Sequence, residues 1–286
     1  MSKRLSTTAA LAVLLTTAVG LAAAQEAQPD RSPYRKLAPG VMKTIEPEPL
    51  VAETVSRHDL VEVLAEDPDF TLAKDVVFRR DIWALRFSFK PVRMIWVDIP
   101  QPGDKMGREL VWYMVYSVTN SHPVLHPVLG GDGKYTVERV SKPLRFIPQF
   151  LLQDQEEEKV YSSQLIPVAM GAIRMREDPR RRLLNTVEMA EKQIAPGETV
   201  WGVVTWKGVD PKIDLFSVYV IGLTNAYRWK DTPGEYKPGD PIGTGRRLQW
   251  KTLKLNFWRP GDEYYQHEGE IRYGQPGGVD YEWVYR

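Results

Sequence analysis

Leu110-Val111-Trp112-Tyr113-Met114-Val115-Tyr116-Ser117-Val118-Thr119 is the stretch on which the fold turns. At a period of two, Leu110, Trp112, Met114, Tyr116 and Val118 share one face; Val111, Tyr113, Val115, Ser117 and Thr119 share the other. Both faces are largely apolar, so the segment reads as a central β-strand covered on both sides. Asn120-Ser121 stops it. On its N-terminal side, Trp83, Leu85, Phe87 and Phe89 alternate with Ala84, Arg86 and Ser88, and Ile95, Val97 and Ile99 repeat the pattern. On its C-terminal side, Gly131-Asp132-Gly133 signals a tight turn. Residues 146–152 form the next strand, closed by the acidic run 154–158.

Ala195-Pro196-Gly197-Glu198 fits a type II turn, with Pro second and Gly third. Residues 200–206 and 215–223 follow as strands of high β-propensity. Trp201 and Trp206 fall on opposite parities of the first, so no more than one of them is expected in the core. In the tail, Leu248 and Trp250 share one parity while Leu253, Leu255 and Phe257 share the other, which predicts a β-bulge near 251–252. Residues 271–273 and 281–285 supply two more strands. Helical signals are few. Ser56 with Asp59 three residues on resembles a capping box for a helix over 56–66, ended by Pro68. Pro167, with Ile166, Met170 and Ile173 on one side, marks a second helix over 165–177. Residues 184–189 read as a short strand. Eight or more strand candidates against two helices make this a mainly β chain, an antiparallel sandwich with an extra C-terminal β region.

The first 24 of the 286 residues read as an export signal: Lys3 and Arg4, an uncharged apolar stretch from Leu5, then Ala22-Ala23-Ala24 before Gln25. Thr16, Thr17 and Gly20 interrupt that stretch, and no later segment has the roughly 20 strongly apolar residues of a membrane span. Cleavage removes two of 38 basic residues and leaves 37 acids, a net charge of −1. Such a chain has no field to attract nucleic acid by counterion release. The absence of Cys excludes thiol catalysis, Cys-ligated zinc and disulfides. Residues 25–49, with five prolines, read as a linker or arm. Residues 50–81 form a helical lead-in, 82–225 the sandwich and 226–286 an aromatic-rich β extension.

The segment Tyr116-Ser117-Val118-Thr119-Asn120 resembles the central strand of small secreted bacterial immunoglobulin-like domains. Leu151-Leu152-Gln153-Asp154, Ile194-Ala195-Pro196-Gly197-Glu198 and Gly202-Val203-Val204-Thr205-Trp206 continue the likeness. Three further stretches resemble uncharacterised exported proteins of the Planctomycetes: Arg79-Arg80-Asp81-Ile82-Trp83, Trp112-Tyr113-Met114-Val115-Tyr116 and Gly222-Leu223-Thr224-Asn225-Ala226-Tyr227-Arg228-Trp229. The resemblance implies an immunoglobulin-like sandwich and export. It transfers no catalytic residue.

Reactive constellations are sparse. His122 and His126 sit beside Pro123 and Pro127, which forbid the helix that would stack two ligands on one metal. His267 lies among Glu263, Glu268 and Glu270, the composition of a solvated loop as much as of an acid–base site. There is no G-x-S-x-G elbow and no Walker loop. Arg180-Arg181-Arg182 reads as a solvated basic tip, or else as an anion site. No cofactor or metal is expected. The regional bias is aromatic: residues 200–286 hold six Trp, eight Tyr and two Phe, nearly twice the 10% of the whole chain. Such rings fill a core, stack on sugars or anchor an interface. Tyr227, Trp229, Trp258, Tyr264 and Tyr265, at strand ends and loops, are the candidate binding residues. The leading expectation is a non-catalytic exported envelope protein that binds or scaffolds. A carbohydrate-binding module is the alternative, and an envelope hydrolase the least favoured.

Overall fold

The computed structural model describes residues 42–47, 49–56, 78–103, 105–235, 237, 240–241, 244–260 and 270–286. The export signal, most of the 25–49 arm and residues 57–66 of the expected first helix lie outside the described residues. The first strands are β1 (Lys43–Ile45), β2 (Val55–Ser56), β3 (Phe78–Arg79), β4 (Arg86–Phe89) and β5 (Arg93–Gln101). The long β6 (Lys105–Thr119) precedes β7 (Val124–Leu129), β8 (Tyr135–Val140), β9 (Leu144–Arg145), β10 (Gln149–Asp154) and β11 (Val160–Ser162). Two helices follow, α1 (Pro167–Glu177) and α2 (Thr186–Glu191). The remaining strands are β12 (Gln193–Ile194), β13 (Thr199–Lys207), β14 (Leu215–Ile221), β15 (Tyr227–Asp231), β16 (Arg246–Trp258), β17 (Arg272–Tyr273) and β18 (Tyr281–Tyr285).

Two antiparallel sheets face each other. The first runs β1-β4-β6-β13, with β5 beside β6; the second runs β11-β10-β14-β16-β15, with β17 and β18 also on β16. Rings from opposite sheets meet between them. Trp112 lies edge-on to Phe216 at 5.5 Å, Phe150 to Trp206 at 6.4 Å, and Phe89 to Phe257 at 6.0 Å. The chain is therefore a β-sandwich, as its period-two patterning predicts. β6 is its central strand, buried without interruption from Val111 to Val118. Trp112, Met114, Tyr116 and Val118 enter the core between the sheets, and Val111, Tyr113 and Val115 pack beneath α1 with its Ile166, Ala169 and Ile173. That helix is the cover that two apolar faces on one strand demand. Pro167 occupies its first turn, where a missing N–H costs nothing.

β4 and β5 form nearly one strand along β6, but the register slips by one residue. Phe89 faces Tyr116, while Arg93 faces Tyr113, so 90–92 carry one residue more than the opposing chain. This bulge reverses the phase. Phe87 and Phe89 point into the inter-sheet core, whereas Ile95 and Val97, of the same parity, point beneath α1.

A buried charge cluster fastens α1 to the first sheet. Glu177, at the helix C-terminus and 2% exposed, takes Lys90 Nζ at 2.8 Å and Arg93 at 2.7 Å. Tyr113 Oη donates to the same carboxylate at 2.8 Å. A negative charge at a helix C-terminus opposes the macrodipole; two cations from the β4–β5 bulge region compensate it here. Burial alone would raise the Glu177 carboxyl, but the Lys90 hydrogen bond, the Arg93 charge and the Tyr113 hydroxyl hold it below its ordinary range.

The expected short strand at 184–189 is a helix instead. Asn185 accepts from the Val187 and Glu188 amides, and the Glu188 side chain accepts from the Asn185 amide. The Asn-x-x-Glu capping box thus overrides the β-propensity of Val187. Leu184 keeps one bridge, parallel to Gly202. The expected type II turn is present: Gly197 has φ +80° and the Glu198 amide donates to Ala195 O at 2.9 Å.

The bulge expected near 251–252 is absent. β16 pairs with β18 in unbroken register from Lys251–Tyr285 to Leu255–Tyr281, and Trp250 exchanges both backbone bonds with Arg286. On its other edge β16 pairs with β14 and β15, and the extra residues lie in their connection, 222–226. Leu248 and Trp250 keep their parity and face outward, 54% and 44% exposed. Beyond residue 225, Leu253, Leu255 and Phe257 of β16 belong to the same core cluster as Phe150 and Trp206. Residues 37–286 form one unit.

Gly202 shows how closely the core is fitted. It lies opposite Tyr116 on β6, and a Cβ there would stand 2.6 Å from Tyr116 Cζ and 2.8 Å from Met189 Cε. The Tyr116 ring is wholly buried and cannot swing away. Gly202→Ala is expected to lower the unfolding free energy by about 1–3 kcal/mol, the usual cost of an overpacked core, read as a lower urea midpoint. An unchanged midpoint would show that the ring has room.

Candidate functional site

The two outer faces of the sandwich differ. α1 covers the first sheet. On the second sheet, the even-numbered residues of β16 face outward, and no described helix lies across them. Along this face stand the exposed Leu248 and Trp250 and the half-buried Lys254 and Trp258, with Thr252 and Asn256 buried between them. The register places Tyr227 beside Trp250, Tyr219 beside Lys254, and Arg272 beside Trp258. Tyr227 and Trp250 lie 5.4 Å apart with their rings tilted at 54°. The Arg286 guanidinium rests 4.2 Å from the Tyr219 ring centre, and that of Arg272 5.4 Å from Trp258. Three aromatic stations thus recur at four-residue steps of β16, roughly 14 Å each at a rise of ~3.4 Å per residue.

Between the stations lies a polar floor. Ser217 donates to Asn256 Oδ1 at 2.8 Å, Gln155 reaches both, and Asn256 donates to Val279 O at 2.8 Å. Lys254 pairs with Glu282 at 2.7 Å. Arg286 donates to Gln153 at 2.9 Å while stacked on Tyr219. These bonds hold the cations and rings in fixed places before any ligand arrives, which reduces the ordering cost of binding.

Of the sequence-derived candidates, Tyr227 and Trp258 both lie on this face. Arg80 also stacks on the Tyr227 ring at 3.9 Å and bonds its carbonyl. Trp229 takes the register position opposite Leu248; its side chain, like all of Tyr264 and Tyr265, lies outside the described residues. Three positions on this face were not among the sequence-derived candidates: Trp250, Tyr219 and Arg286. Trp250 shares its parity with Lys254, Asn256 and Trp258, a polar-aromatic face that becomes legible once the bulge is discarded. Of the remaining Trp, Trp206 is fully buried, and Trp201 sits half-buried on the opposite parity, as the alternation requires.

The two described histidines contact separate carboxylates. His126 Nδ1 is 2.6 Å from Asp81, which Lys142 also contacts, and His122 is 3.7 Å from Glu46. Burial would raise the Asp81 carboxyl, but Lys142 and His126 hold it below its usual range. His58 and His267 lie outside the described residues. Among the described residues, no three His, Asp or Glu side chains gather into a metal-holding group.

A second concavity, an open groove of about 940 Å³, lies along the free edge of β13 between the 178–182 loop and α2. Two of its carboxylates are paired with cations. Asp178 takes Arg181 at 3.2 Å and Glu198 takes Lys192 at 2.7 Å, and those hydrogen bonds hold both acids below their ordinary range. A general acid needs the opposite shift.

Compared with protein-family models, curated proteins and solved structures, the chain matches none.

Proposed function

We propose that this chain is an exported, non-catalytic binding module of the cell envelope that lays an acidic polysaccharide along the outer face of its second sheet. The observation that carries the reading is the row of Trp250, Tyr219 and Trp258, with Lys254, Arg272 and Arg286 set among the rings. Flat rings suit the apolar faces of sugars, and guanidinium groups suit carboxylates. A row of about 27 Å from Trp250 to Trp258 suits an extended polymer rather than a single sugar. Export rests on the N-terminal pattern of Lys3, Arg4 and Ala22-Ala23-Ala24. The immunoglobulin-like topology is the finer form of the sandwich that the resemblance of its central strands supports.

The test is titration with a soluble polyuronate and with a neutral glucan of similar length, at low and at physiological salt. The polyuronate is expected to bind and the neutral polymer to bind weakly. Salt should lower the polyuronate affinity, because Arg272 and Arg286 are exposed. Trp250→Ala and Trp258→Ala should each cost about tenfold in affinity, or ~1.4 kcal/mol, the size of an anchoring aromatic. Their melting temperatures should barely move, since neither ring is in the core. Equal affinity of wild type and both variants, or no polyuronate binding, would refute the reading.

A further inference from the structure

We propose that the reverse face of the β15–β16 ribbon binds a phosphomonoester group. The inference is independent of the polysaccharide reading, because the Trp250 row lies on the other face. The register sets Tyr227 opposite Trp250 on that aromatic face, and Arg228 opposite Gln249 and Lys230 opposite Arg247 on the reverse. Lys230 and Arg247 thus stand directly across from each other, with Cβ atoms about 5 Å apart, and Arg228 lies two residues along the strand, about 7 Å away. All three are exposed, and none forms an ion pair among the described residues.

Like charges directly opposite on a ribbon are destabilising. A carboxylate between them is the usual relief, but the described carboxylates near this face stand elsewhere. Glu53, 10% exposed, is taken by Lys251 at 2.6 Å and by the Tyr285 hydroxyl at 3.4 Å. Glu235 is exposed at the turn, one pair beyond Lys230 and Arg247; its Oε2 lies 3.0 Å from where a Cβ on Gly245 would stand. The base of the ribbon adds a further cation. Arg80 donates Nε to Glu53 O and Nη2 to Tyr227 O, both neutral carbonyls, while its Nη1 is buried without a hydrogen-bond partner. Among the described residues, Arg80, Arg228, Lys230, Arg247 and Lys251 therefore meet only Glu53 and Glu235, and Glu53 is already taken.

The spacing of the cations selects the ligand. Three positive side chains at corners of about 5–7 Å surround a space for one small group. A carboxylate would bring one charge and two oxygens, and would leave most of the repulsion in place. A phosphomonoester brings close to two charges and three strong acceptor oxygens. It can take Lys230, Arg247 and Arg228 together, and the guanidinium forks match its oxygens in pairs. Arg228 is held ready, its guanidinium 4.2 Å from the Tyr285 ring centre.

The probe is glycerol monophosphate, titrated into the full chain and followed by phosphorus NMR line broadening and by melting temperature, with acetate and chloride at matched ionic strength as controls. The phosphomonoester is expected to broaden and to raise the melting temperature by about 2–4 °C near saturation, and neither control to reproduce the rise. Lys230→Gln and Arg247→Gln each remove one of the opposed charges. Without ligand, each variant should melt no lower than the native chain, because the repulsion is relieved. Each should also bind the phosphomonoester at least about tenfold more weakly, as should Arg228→Gln. The proposal is overturned if the native chain fails to broaden the signal or if acetate raises the melting temperature as much. It is also overturned if the variants respond as the native chain does, since that response would be the general salting effect of phosphate. Lower melting temperatures for both Lys230→Gln and Arg247→Gln without ligand would show that carboxylates of the chain itself, such as the six acids between Asp59 and Asp75, already neutralise this face, and would equally overturn it. The native-chain titration decides the matter even if a variant folds poorly.

Discussion

Phe150→Ala should unfold at a markedly lower urea concentration than the native chain, with a loss of about 3–5 kcal/mol, the usual range for emptying a buried aromatic site. Phe150 comes from β10 in the second sheet and inserts among rings of the first. Its ring centre lies 5.0 Å from Tyr116, 6.4 Å from Phe87 and 6.4 Å from Trp206, with Phe146 of its own side also at 6.4 Å. All five rings are fully buried. Truncation removes the transfer energy of the ring and leaves a void that β-sheet neighbours cannot close, because their backbones are fixed by ladders on both sides. A domain stable by roughly 5–15 kcal/mol would lose a large fraction of its margin. Phe150→Leu, which keeps most of the volume, should cost much less. A loss below about 1 kcal/mol for the alanine variant would mean that the two sheets do not pack through this cluster.

Glu177→Gln should be nearly as damaging, for an electrostatic reason. The substitution keeps the shape but removes the charge that Lys90 and Arg93 share, so two largely buried cations lose the carboxylate between them. Breaking a buried pair from one side costs about 3–5 kcal/mol. The same carboxyl makes stability depend on pH. Its folded pKa lies below its ordinary value of 4.5, so the folded state gains from the ionised form. That gain is complete above the unfolded pKa and is lost as pH falls through the folded one. Stability of the native chain should therefore drop below about pH 4.5, while Glu177→Gln should show a shallower acid limb. Replacing Glu177, Lys90 and Arg93 together by apolar residues should recover much of the loss, since an unpaired charge is worse than none. Equal stability of native chain and Glu177→Gln at pH 7 would show that α1 is held by its apolar face alone.

Much of the sandwich was legible in residue order alone. Alternation at 110–119, 200–206 and 215–223 specified strands, and parity limited Trp201 and Trp206 to one place in the core, which the structure gives to Trp206. Turn chemistry at 131–133 and 195–198 is equally local, because the required φ angles admit few residues besides glycine. Export, too, was read from local pattern alone and stands as a proposal.

Two apolar parities on one strand, by contrast, have more than one physical solution. At 110–119 the second face is closed by a helix. At 90–92 a bulge exchanges the faces. At 248–258 the strand runs straight and leaves Trp250 in solvent. Sequence patterning records only that a side chain is apolar. Whether it meets another layer, a kinked backbone or water depends on what distant segments bring to that face, and α1, β18 and the 222–226 connection decide it here. The aromatic row was therefore legible only in part, through Tyr227 and Trp258, since it exists as a row only where strands far apart in sequence lie side by side.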